Sequence, residues 1–160
     1  MSIGVQVKFD ALQSVFMFET LNLALLTRVL NHCDVEDYSA GDVAIKEGAA
    51  CEQLMVVTEG KFDVTHDGQS AGAILVGQHA GATTLLAPRE AKATLTALVP
   101  SRLLVLRRKP FWALIKSRPW LGVALLERLG RQLSRDLDKS IQQRDDGDPA
   151  TTPVNPWERF

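Results

Sequence analysis

Between Gly77 and Thr94 the chain reads Gly-Gln-His-Ala-Gly-Ala-Thr-Thr-Leu-Leu-Ala-Pro-Arg-Glu-Ala-Lys-Ala-Thr. Gly77 and Gly81 stand four apart, and the segment Ala82–Ala87 has room for one helical turn before Pro88 interrupts it. Glycine lets a backbone come close to a ligand, and the first N–H groups of a helix are unpaired and favour negative charge. Thr83 and Thr84 add hydroxyls, Arg89 and Lys92 add positive charge within reach, and His79 stands at the mouth of such a pocket. The chemistry open to this set is capture of a small anion. A plain connector with solvated loop charges is the competing reading, because glycine turns before short helices are common.

Other chemistry is thin. His32, His66 and His79 lie far apart and have no Asp, Glu or Cys in metal-ligand spacing, so no metal is expected. Gly-x-Ser-x-Gly, a P-loop and paired catalytic carboxylates are all absent, which argues against an enzyme. Cys33 and Cys51 leave a disulfide open, but reduced, partly buried thiols in a cytoplasmic protein suit them better. With a net charge of −1 and a pI near 6.3 there is no general pull towards nucleic acid or anionic lipid. Arg107-Arg108-Lys109 reads as a solvated strand end, and no apolar run approaches a membrane span.

The elements around the glycine turn are legible as patterns. Within 160 residues, 46% of them apolar, one domain with a proper core is expected. Residues 1–10 carry little signal. Over 11–30 apolar residues recur at helical spacing, as one helix or as two broken near Glu19-Thr20, with Thr20 capping the second. Seven glycines between Gly41 and Gly81 then bound short β-rich runs: Val43–Ile45, Leu54–Val57, Phe62–Thr65 and Ala73–Val76. Ala93–Val99 and Arg102–Leu106 follow, and Asp67-Gly68 suits a hairpin. Helical spacing resumes over 109–141, restarting at Pro119, with a stripe of Leu126, Leu129, Leu133 and Leu137. That stripe either covers the β domain or pairs with the same helix of a second chain; its length favours a homodimer. Residues 142–160, with three prolines and little apolar content, read as a disordered tail in which Trp157 and Phe160 are the only docking candidates.

Taken in order, Tyr38–Asp42, Ile45–Gly48, Leu54–Gly60, Gly77–Leu86 and Ala93–Ala97 resemble the cyclic nucleotide-binding domain family, over about Phe16 to Leu137. The resemblance implies an α+β fold: an antiparallel β-roll (31–108) flanked by N-terminal helices (11–30) and C-terminal helices (109–141). It also implies a phosphate-binding cassette, Gly-Glu-x-x-Leu followed by Arg-Ala-Ala-Thr, whose glutamate holds the ribose and whose arginine neutralises the cyclic phosphate. Gly81 and Leu85 match that cassette, but Ala82 stands in the glutamate's place and Ala91 in the arginine's, followed by Lys92. Losing a charge-assisted pair of this kind removes a few kcal/mol, a hundredfold or more in affinity. Relatives that read DNA carry a helix-turn-helix after the long helix, and here disordered composition begins instead, which disfavours direct nucleic-acid contact. Two functions follow: an interaction and dimerisation module that needs no cofactor and has a protein partner, or a sensor for a non-standard nucleotide or other small anion.

Overall fold

The computed structural model describes residues 4–145, and the expected tail with Trp157 and Phe160 lies outside them. Two helices lead, α1 (Val5–Gln13) and α2 (Leu23–Leu30). The leading helix therefore starts six residues before the apolar periodicity does. The second is capped by Asn22, whose side chain accepts from the Leu25 N–H, and not by Thr20.

Strands follow: β1 (Cys33–Tyr38), β2 (Val43–Ile45), β3 (Ala50–Cys51), β4 (Gln53–Glu59), β5 (Lys61–His66), β6 (Gln69–Leu75) and β7 (His79–Ala80). A 3-10 helix, Ala82–Leu85, leads to β8 (Arg89–Glu90), β9 (Thr94–Ala97) and β10 (Ser101–Arg107). Helix α3 (Arg108–Ser117) and the long α4 (Pro119–Asp145) close the described chain. All pairings are antiparallel, in sheets ordered β1-β10-β4-β7 and β2-β9-β5-β6 with a small β3-β8 pair. This is the expected α+β roll between helices. The β5–β6 hairpin turns on Asp67 and Gly68, both at positive φ (49° and 76°), the signature of a two-residue type I′ turn.

β4 and β10 form the centre, and their residues alternate between two cores. Leu54, Val56, Leu104 and Leu106 pack with Leu12, Leu26, Phe111, Leu121, Leu125 and Leu129 from the helices and with Val15 and Phe18 from the connection between α1 and α2. Met55, Val57, Leu103 and Val105 point the other way, into the roll, against Phe62, Leu95 and Ala97. The apolar runs Leu54–Val57 and Leu103–Leu106 are thus strands buried on both faces.

β1 escapes the sequence pattern because it is an edge strand rich in charge. It pairs only with β10, and its acids meet the arginines of that neighbour: Asp37 with Arg102, Asp34 and Glu36 with Arg107. Charge on an edge also discourages strand addition by another chain. Of the leucine stripe on α4, Leu129 belongs to the core of its own chain, Leu126 is half-buried, and Leu133 and Leu137 are exposed. α4 runs 27 residues, past Ile141 to Asp145. Among the described residues no helix is long and apolar enough to cross a membrane.

Candidate ligand site at the glycine turn

Gly81 caps the 3-10 helix in the left-handed conformation, φ 84°. A Cβ built there would lie 2.1 Å from the carbonyl oxygen of Gln53, at the start of β4. The close approach that demands glycine is therefore to the protein's own backbone. Thr84 secures the same junction: its buried Oγ1 accepts from the Gln53 N–H at 3.1 Å and donates to the Gly81 carbonyl at 2.7 Å. That hydroxyl, expected to face an anion, is occupied inside the fold. Thr83 is half-buried, and its Oγ1 accepts from Arg89 Nη2 at 2.7 Å.

The two positions where the resemblance places the ribose and phosphate partners have different surroundings. Ala82 is 7% exposed and packs in the helix-side core with Leu85. Ala91 is half-buried, donating its N–H to the Ala49 carbonyl and accepting from the Gly48 N–H, each at 2.8 Å. Three clefts among the described residues involve neither. One of about 340 Å³ lies between Phe16–Thr20 and the Glu127–Arg135 turns of α4. A second, of about 490 Å³, runs from β2 to Gln53 and Arg107. A third, of about 500 Å³, follows α3. Inside the roll, Phe62, Met55, Leu95 and Leu103 are all buried apolar side chains.

Beside Ala91 lies a polar clamp that sequence reasoning missed. His66 Nδ1 stands 2.8 Å from both the Lys92 carbonyl and a carboxylate oxygen of Glu47, and Nε2 is 3.4 Å from Asp67. The Lys92 carbonyl first, then the Asp67 and Glu47 charges, raise the imidazole's pKa above its ordinary value. Lys92 thus contributes its backbone, while its side chain stays exposed. His79 is half-buried against Phe16, with ring centroids 5.9 Å apart, and burial lowers its pKa. The signal was only partly available: residues 47, 66 and 92 are distant in sequence and meet through β5, β9 and the turn before β3.

A family model, the cyclic nucleotide-binding domain, matches residues 35–118. The chain belongs to that family. Its cassette segment and both central strands fall inside the match. No curated protein sequence matches the chain. Solved structures do. The N-terminal domain of a transcriptional regulator from Streptomyces coelicolor A3(2) is 26% identical, with TM-score 0.74 over 81% of this chain and 94% of that one. The Thermus thermophilus catabolite activator protein is 25% identical, with TM-score 0.68 over 81% of this chain and 61% of that one. A cyclic nucleotide-binding domain from Methylobacillus flagellatus shares the fold, with TM-score 0.73 over 93% of this chain and 86% of that one, at 16% identity. This cyclic nucleotide-binding domain is of a regulatory family, and it carries alanines where the resemblance places the ribose and phosphate partners.

Two predictions come from this geometry. Gly81→Ala meets both the Gln53 carbonyl and an unfavourable φ, and is expected to cost roughly 2–4 kcal/mol in chemical denaturation without any ligand present. An unchanged midpoint would show that the turn is held elsewhere. In an NMR titration His66 should ionise above 6.5 and His79 below it. The protonated His66 clamp stabilises the fold fully below the free-imidazole value and is lost as pH rises through the folded value. The His79 contribution runs oppositely and is lost as pH falls below 6.5. Glu47→Gln should lower the His66 value; no movement would rule the clamp out.

Proposed function

We propose that this cyclic nucleotide-binding domain is a regulatory module that no longer holds cyclic AMP or cyclic GMP tightly, performs no catalysis, and acts through dimerisation and protein contact. The observation that carries the reading is Ala82. The residue in the ribose-binding position is a methyl group packed into the helix-side core, and a cation is missing at Ala91. A cyclic phosphate placed there would lose its charge-assisted partner. Isothermal calorimetry with either cyclic nucleotide is expected to give no micromolar Kd, and a micromolar Kd for either would overturn the reading. A second reading, a sensor for another small anion, is supported by Arg89 standing against Thr83 beside the turn. Thermal-shift screening against cyclic mono- and dinucleotides separates the two, because binding to the native state raises its stability by RT ln(1 + [L]/Kd).

The dimer is proposed through α4. Val123, Leu126, Gly130, Leu133 and Leu137 fall at alternating steps of three and four on one face. Val123, Leu133 and Leu137 are 66%, 40% and 55% exposed, an apolar seam that a second copy in parallel would cover. Leu129 contributes to the monomer instead. Light scattering should report a dimer for the parent and a folded monomer for Leu133→Asp/Leu137→Asp. A parent that stays monomeric at every concentration, or a variant that stays dimeric, would refute this seam.

A further inference from the structure

We infer that the outer face of α3 is a binding site for a ligand carrying two or more linked phosphate groups. The cleft of about 500 Å³ on this face is lined by Arg108, Lys109, Trp112, Ala113 and Lys116. Three of these are cations and none is an acid, in a chain whose net charge is −1. Two of the cations, Arg108 and Lys109, open the helix at the positive end of its dipole, where no acidic residue occupies the first turn. No acidic side chain in the first turn or in the cleft lining offsets that placement, and an anion would. Arg108 and Lys116 are eight residues apart, about 12 Å along the helix, so linked phosphates can engage both ends and a single phosphate cannot. Ala113 keeps the middle of the face low.

The inner wall is already positioned. The Arg108 guanidinium lies 5.6 Å over the Trp112 ring, and Trp112 Nε1 donates to the Leu85 carbonyl at 2.9 Å. Arg108 Nη2 makes only a 3.5 Å contact with the Leu86 carbonyl, and its buried Nε has no partner among the described residues. Its donors are therefore poorly used as the chain stands. Because both carbonyls belong to the end of the 3-10 helix of the glycine turn, occupancy of this face would be felt there. Arg107, next in the basic run, is committed to Asp34 and Glu36 and takes no part.

The proposal is independent of whether the roll holds a nucleotide, and its test keeps the two apart. Calorimetry of the full chain with tripolyphosphate and with ATP, at low salt, should give submillimolar binding that weakens as salt rises. Lys109→Gln/Lys116→Gln, both exposed positions, should weaken it by about tenfold or more while leaving the unfolding midpoint unchanged. Arg89→Gln beside the glycine turn should leave it unaltered. Binding equal in parent and Lys variant, loss of binding with Arg89→Gln, or no heat with either probe at millimolar concentration would each overturn the proposal. So would an acidic peptide or a single-stranded oligonucleotide that tripolyphosphate cannot displace, since the face would then serve a macromolecule.

Discussion

The β4–β10 ladder is the interaction on which the rest of this structure depends. Every inward or outward side chain of its central pairs is buried, so the ladder belongs at once to the roll and to the helical layer. One pair of strands thereby joins two cores that otherwise share little. The elements at the ends of the ladder inherit their positions from it. Gln53 receives the glycine turn, Ser101 closes the far end by accepting from the Lys61 N–H at 3.1 Å, and Arg107 hands the chain over to α3. A Cβ on Gly60 would strike Ser101 Oγ at 2.1 Å, so the far end is as tightly closed as the near one.

The strands that carry this ladder were legible because apolar runs bounded by glycine leave few alternatives. Leu54–Val57 and Arg102–Leu106 fall inside β4 and β10, and the Asp67-Gly68 hairpin needs only its two residues to be read. What escaped lacks a local signal. β1 is rich in acids and is a strand through its ladder with β10, where Arg102 and Arg107 lie more than sixty residues away. β3, β7 and β8 are two residues each, too short for any period. At the glycine turn the expectation of a close backbone approach holds, but its partner is the Gln53 carbonyl and the Thr84 hydroxyl is occupied inside the fold. Thr84 bonds to Gln53, 31 residues earlier, and no spacing rule points there.

The two long-range polar arrangements near the turn differ in character. The His66 clamp ties Glu47, Lys92 and the hairpin tip at the surface, where water competes and the imidazole's protonation decides how firmly it holds. The Trp112–Leu85 bond joins α3 to the 3-10 helix beside a buried core and does not titrate. Cys33 sits apart from both: burial pushes its thiol up to about 12, so it stays an unreactive packing group.

The self-contained closure of the glycine turn separates scaffold from receptor. Glycine and threonine in this segment answer to Gln53, and the fold keeps them whether or not anything is bound. The exposed side chains nearby, Arg89 and Lys92, carry none of that duty. A roll fastened this way by its own backbone can stay folded with or without an occupant.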